Sequence, residues 1–92
     1  MGLFSSSKDS YQREIDAKTH EIEMIKYRIE EHKREIAARQ QQNKSKTQSK
    51  SAVEYNKQVI ATRRNDIERC KDQIARIKEV IAGLKEKKRA AR

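Results

Sequence analysis

The sequence predicts an all-α protein in which two long helices form an antiparallel coiled-coil hairpin that associates further into an oligomer. Apolar residues recur every seven positions in two separate series, and only two glycines and no proline interrupt the 92 residues. A seven-residue repeat with a partner position three residues further on is the a/d pattern of a coiled coil. Most other positions hold Lys, Glu, Gln, Arg or Ala, which all favour helix.

The first apolar series predicts helix 1 over residues 9–42. Its seam positions, at a and d of the repeat, are Ile15, Ile22, Ile25, Ile29 and Ile36. Residues 1–8 precede the helix as a flexible leader, and Ser6 or Ser7 is its candidate N-cap because a serine side chain can accept from the free N–H groups of a first turn.

The second apolar series predicts helix 2 over residues 52–88. Its seam positions are Val53, Ile60, Ile67, Cys70, Ile74, Ile77, Ile81 and Leu84. Residues 43–51 form a polar, basic loop before it, and Ser51 with Glu54 has the spacing of a capping box. The two series differ in phase, which a fold-back at the loop explains. A single continuous helix with a stutter is the alternative.

An antiparallel register that places Ile15 opposite Ile77 also places Ile29 opposite Arg63 and Ile36 opposite Asn56. The seam is then apolar near the termini and polar towards the turn. A seam this narrow does not offset the conformational entropy of ordering two long helices. We therefore expect a homo-oligomer or a helical protein partner.

Charge is the second prominent property of the chain. Charged residues make up 40% of it, apolar residues 34%, and the formal net charge is +9. One basic cluster surrounds the loop, at Arg39, Lys44, Lys46 and Lys50. The other, which we call the basic tail, comprises residues 89–92 and the helical turn before them. Its cations are Lys85, Lys87, Lys88, Arg89 and Arg92. We predict that this basic tail contacts an anionic membrane surface; nucleic-acid phosphates are the less favoured alternative.

The leader carries a possible lipidation signal. Its opening, Met-Gly-Leu-Phe-Ser-Ser, fits the N-myristoylation pattern, in which Gly2 becomes the acylated amine. One acyl chain binds membrane only marginally and works together with a polybasic patch. An antiparallel hairpin would bring Gly2 beside the basic tail, so the sequence predicts a peripheral membrane association.

The sequence shows no motif for catalysis or cofactor binding. His20 and His32 fall on different helix faces, and there is no Gly-rich phosphate loop, Cys-x-x-Cys or His-Glu-x-x-His. We expect no enzyme activity, catalytic residue, cofactor, metal or small-molecule substrate. The lone Cys70 excludes an intramolecular disulfide and is typical of an intracellular, reducing compartment.

These observations together favour a structural or scaffold protein that acts through its helices and its basic end. Two other classes stay open: a nucleic-acid-associated or virion-type structural protein, and a small helical-hairpin chaperone for secretion or partner binding.

Overall fold

The computed structural model describes residues 7–91, and the regular structure within them is entirely α-helical. Helix α1 is Ser7–Asn43, with 37 residues, and helix α2 is Lys50–Ala90, with 41 residues. Residues 44–49 connect the two helices. The all-α prediction is therefore confirmed for the described part of the chain.

Both helices are slightly longer than predicted, and α2 begins at a different cap. The Ser49 hydroxyl accepts a hydrogen bond from the Ala52 N–H at 3.1 Å, and the Ser49 carbonyl accepts from the Val53 N–H at 3.0 Å. These are the two contacts of an N-cap residue. Ser49, rather than the predicted Ser51, therefore caps α2, and Ser51 lies within its first turn.

Helix α1 ends in tighter turns that lead into the loop. The Lys44 N–H donates to the Gln41 carbonyl at 3.2 Å, and the Ser45 N–H donates to the Gln42 carbonyl at 3.0 Å. Bonds between residues three apart are common where a helix ends, because they satisfy carbonyls that have no partner further along. The turn needs no residue with positive φ among those described.

The chain divides into two compact units, each containing parts of both helices. The turn unit is Lys26–Asp72. It is a helical hairpin made of the end of α1, the loop and the beginning of α2. The terminal unit, in its described part, comprises residues 7–25 and 73–91. Within it, α1 contacts α2 through a hydrogen bond from Lys88 Nζ to Gln12 Oε1.

Burial in each unit follows the heptad positions. The buried apolar residues of the terminal unit are Ile15, Ile22, Ile25 and Leu84, and those of the turn unit are Ile29, Ile60, Ile67 and Cys70. The remaining predicted seam residues are half-buried: Ile74, Ile77 and Ile81 in the terminal unit, and Ile36 and Val53 in the turn unit. Coiled-coil packing of these residues stays a prediction.

Candidate functional site

The turn unit contains a cluster of polar side chains between its two helices, which we call the polar cluster. Its members are Glu35, Arg39 and Asn43 on α1, and Asn56 and Arg63 on α2. The cluster lies where the predicted seam becomes polar, next to the loop.

Asn56 is the centre of the polar cluster and is only 3% exposed. Its Nδ2 donates to Asn43 Oδ1 at 2.9 Å, and its Oδ1 accepts from Arg39 Nη1 at 3.0 Å. Asn43 Nδ2 in turn donates to the Val53 carbonyl at 3.4 Å. Both ends of the buried amide are thus satisfied by side chains of the opposite helix, as burial of a polar group requires.

Arg39 connects the buried amide to the exposed side of the cluster. Its Nη2 lies 3.5 Å from Glu35 Oε1, and its guanidinium carbon lies 5.5 Å from the ring centroid of Tyr55. A guanidinium within about 6 Å of an aromatic ring centroid is attracted by the ring's negative face. Tyr55, although exposed, therefore helps to orient Arg39 towards Asn56.

Arg63 forms the second ionic link between the helices. Its Nε lies 3.0 Å from Glu35 Oε2, and its Nη1 donates to Asp66 Oδ2 at 2.9 Å. The Nε atom is buried, and among the described residues it makes no hydrogen bond. The N–H is therefore not directed at Glu35, and the contact between them is an ion pair without a hydrogen bond.

The partners of Asn56 and Arg63 differ from those of the predicted register. That register placed Asn56 opposite Ile36 and Arg63 opposite Ile29, whereas the structure pairs Asn56 with Arg39 and Asn43, and Arg63 with Glu35. An isoleucine partner would leave a buried amide or guanidinium without a hydrogen bond or ion pair, which is costly. The helices instead adopt contacts that join polar groups to polar groups.

The basic tail is the second candidate site. Lys85, Lys87 and Arg89 are exposed at the end of α2, and Lys88 is half-buried, where it donates to Gln12. Arg89 Nη1 lies 3.0 Å from Glu86 Oε1, and both side chains are more than two-thirds exposed. Such surface pairs contribute little. No ion pair joins Lys85 or Lys87 to another residue of the described chain.

Two of the predicted contact residues cannot be placed with the others. Gly2 and Arg92 lie outside the described residues, as does Ser6.

The last turn of α2 carries three cations, Lys87, Lys88 and Arg89. Cations in this position stabilise a helix because its C-terminal end has partial negative charge, so the basic tail suits its own helix as well as an anionic surface.

A third feature is a groove in the turn unit, which we call the basic groove. It has a volume of about 390 Å³ and is open to solvent. It is lined by Lys33 and Ile36 of α1 and by Arg64, Asn65, Ile67, Glu68 and Lys71 of α2. Ile67 is buried and Ile36 is half-buried, so the floor is apolar and the rims carry cations. This combination is suited to a ligand that is both apolar and acidic.

Sites for metal or thiol chemistry do not emerge from residues 7–91. No three His, Cys, Asp or Glu side chains of this range come together as possible metal ligands. Cys70 is buried and unpaired, while His20 is exposed and His32 is half-buried. Neither described helix has a stretch that is long and apolar enough to cross a membrane.

Comparison with protein-family models, with curated proteins and with solved structures finds no match to this chain.

Proposed function

We propose that the protein is a non-enzymatic helical scaffold, which self-associates or binds a helical partner and holds its basic tail against an anionic membrane surface. The observation that carries the proposal is the arrangement of Lys85, Lys87 and Arg89, which are exposed together over the last turns of α2. Basic clusters on a helix bind anionic headgroups mainly through charge.

The scaffold part of the proposal rests on apolar surface that remains uncovered in the terminal unit. Ile74, Ile77 and Ile81 are only half-buried, and Val80 beside them is 47% exposed. Coiled-coil residues at such positions are normally covered by a facing helix. An oligomer, or a helical partner, would cover them and complete an antiparallel coiled-coil core.

Liposome flotation tests the membrane part. Each basic residue near an anionic surface contributes about 1 kcal/mol, so we expect the triple change Lys85→Glu, Lys87→Glu and Arg89→Glu to weaken binding at least about a hundredfold. Lys88 is left unchanged to preserve its contact with Gln12. The matched control reverses three loop cations, Lys44, Lys46 and Lys50, and should leave liposome binding nearly unchanged.

The tail, loop and leader variants together distinguish a membrane from a nucleic acid as the anionic partner. A phosphate backbone has no acyl layer, so the leader change Leu3→Ser with Phe4→Ser should weaken binding to liposomes and leave binding to nucleic acid unaffected. Equal loss from the tail and loop reversals, with no effect of the leader change, would contradict the membrane proposal and favour a phosphate backbone. Mass measurement of the purified chain would show directly whether Gly2 is acylated.

Sedimentation equilibrium at micromolar concentration tests self-association. We expect a defined oligomer, because a narrow two-helix seam is marginal on its own. A monomer that melts cooperatively, and that captures no helical partner, would contradict the scaffold proposal.

A further inference from the structure

The basic groove has the chemistry of a docking site for an acidic helix. Its apolar floor, Ile36 and Ile67, lies between rims with three cations, Lys33, Arg64 and Lys71, and one acid, Glu68. Grooves that bind an amphipathic helix combine an apolar base with charges of the opposite sign to those beside the helix's apolar stripe. The groove therefore selects a helix with acids beside its apolar residues.

The cations of the groove are available to such a ligand. Lys33 Nζ is 3.6 Å from Glu30 Oε1, and Lys71 Nζ is 3.6 Å from Glu68 Oε1, with all four side chains more than half exposed. Pairs of this kind contribute little in water, so an incoming carboxylate can compete for the ammonium groups. Arg64 is exposed and forms no ion pair with another described residue.

A helix face with the complementary pattern is present in the chain itself. In the terminal unit, α1 carries Asp9, Asp16 and Glu23 in one row at seven-residue intervals, and Ala17 and Met24 in a second row. Arg13 and His20 lie between the two rows. The five residues of the two rows are exposed, and Met24 is 49% exposed although it is a large apolar residue. We call this surface the acidic face.

The charge of each surface supports their pairing. Residues 7–25 contain five acids against three Lys or Arg, in a chain whose net charge is +9. This stretch is therefore an acidic segment in a basic protein. The turn unit, which holds the groove, has an excess of cations. Attraction between two such surfaces guides association and disfavours wrong pairings.

We propose that the acidic face of one copy of this chain docks into the basic groove of a second copy. The inference rests on the self-association proposed above and adds a second contact, separate from the one that would cover Ile74, Ile77 and Ile81. Because the two surfaces are different, the contact is heterologous: each docked copy offers a further groove and a further face. The product is a closed ring or an open filament rather than a simple symmetric dimer.

A phosphate backbone fits the groove less well than this helix face. Phosphates would neutralise the lysines and arginine but would leave the Ile36 and Ile67 floor uncovered. A helix that presents Met24 and a row of acids on one surface can cover the floor and also reach the cations of one rim.

A charge-swap experiment on the full chain tests the proposal. The groove variant is Arg64→Glu with Lys71→Glu, and the face variant is Asp16→Lys with Glu23→Lys. Each variant alone should lose self-association at least about tenfold at about 0.1 M salt, because two attractive contacts become repulsive. An equimolar mixture should regain it, because the reversed groove of one variant accepts the reversed face of the other.

Matched controls separate surface pairing from net charge. Lys44→Glu with Lys46→Glu makes the same change in charge as the groove variant, but within the loop. Glu79→Lys with Glu86→Lys makes the same change as the face variant, on exposed positions of α2. Both controls should keep the association of the unmodified chain. Loss in the controls equal to that in the variants would overturn the proposal.

Neutral variants keep the test decisive if reversed charges disturb folding. Arg64→Gln with Lys71→Gln removes the groove charges without adding repulsion, and far-UV circular dichroism reports whether helix is retained. A folded neutral variant should associate more weakly than the unmodified chain and respond less to added salt. Unchanged association in that variant would overturn the proposal.

The outcomes distinguish failure of this inference from failure of the proposed function. A chain that self-associates, but whose association neither charge swap alters, keeps the scaffold role and loses the groove-to-face contact. A groove variant that still self-associates but no longer binds nucleic acid assigns the groove to a phosphate backbone and overturns the contact. A chain that stays monomeric overturns the contact, and it overturns the scaffold role as well if it also binds no helical partner.

Discussion

The turn unit and the terminal unit contain similar apolar repeats but hold their helices together by different means. In the turn unit, buried Asn56 is bonded to Arg39 and Asn43, and Glu35 is paired with Arg63. In the terminal unit, a hydrogen bond from Lys88, which is half-buried, to Gln12 links the helices. The contacts beside the loop include a buried amide, so they restrict the alignment of the helices there.

The seam isoleucines of α2 differ between the units in the same direction. Two seam isoleucines of α2 in the turn unit, Ile60 and Ile67, are buried, whereas Ile74, Ile77 and Ile81 in the terminal unit are only half-buried. A polar contact fixes which residues meet but adds little stability, and apolar burial supplies stability without fixing alignment. The turn unit is thus the more specific part, and α2 of the terminal unit has the seam isoleucines that are only partly covered within one chain.

The largest expected difference between the units concerns these isoleucines. Ile67→Ala should lower the free energy of unfolding by about 2–5 kcal/mol, as for other buried large-to-small changes. Ile77→Ala should cost roughly half as much at low protein concentration, because part of its side chain stays in water. Urea unfolding followed by circular dichroism measures both.

Repeating these unfolding measurements at several protein concentrations tests whether association covers Ile77. If association covers Ile77, the cost of Ile77→Ala should rise with concentration, because the change then weakens the oligomer as well as the chain. The cost of Ile67→Ala should change much less. Equal costs for the two substitutions in dilute solution would show that Ile77 is as well covered as Ile67 within one chain.

The next largest effect concerns the polar contacts. Asn56→Ala should lower the free energy of unfolding by about 1–3 kcal/mol, because the half-buried Asn43 amide loses its partner and Arg39 loses an acceptor. Gln12→Ala in the terminal unit should cost less than about 1 kcal/mol, since the Lys88 ammonium can return to water. A thermal melt of each variant compares the two units directly.

A double-mutant cycle of Asn56→Ala with Arg39→Ala isolates the polar contact itself. Residues joined in one hydrogen-bond network should show a coupling of about 0.5 kcal/mol or more. Additive losses would mean that Asn56 is buried for its packing rather than for its bond to Arg39.

The periodic part of the fold was predictable, because seven-residue spacing and helix-forming residues both depend on local sequence. The residues that fill the seam positions are those that the structure buries or half-buries, from Ile15 to Leu84. The choice of Ser49 as the cap of α2 was not predictable, since Ser49 and Ser51 are equally good caps and the choice depends on where the loop closes.

The polar cluster was only partly visible in the sequence. Asn56 and Arg63 were recognised at seam positions, but their partners Glu35 and Asn43 were not. Asn43 follows Ile36 by seven residues, so extending the first series by one step would have found it. Glu35 flanks the seam, and only the alignment of the helices shows that its carboxylate reaches Arg63.

The smallest expected effect lies at Gly83, in the terminal unit. A Cβ added there would meet nothing within 4 Å, and the backbone is helical without positive φ. Gly83→Ala should therefore stabilise the chain by about 0.5–1 kcal/mol, because alanine loses less conformational entropy in a helix than glycine does. The reverse change at an exposed alanine of the turn unit, Ala61→Gly, is the matched control and should destabilise by a similar amount.

The sign of the Gly83→Ala effect also tests whether a second chain covers the terminal unit at this position, as the proposed self-association allows. Alanine fits freely at this position of the single chain, so a loss of stability would have to come from a second chain whose backbone approaches Gly83 closely. Melting at two concentrations separates these cases: a gain independent of concentration indicates an open surface around Gly83. A loss of stability that grows with concentration would place the intermolecular contact around Gly83, rather than over the half-buried Ile77.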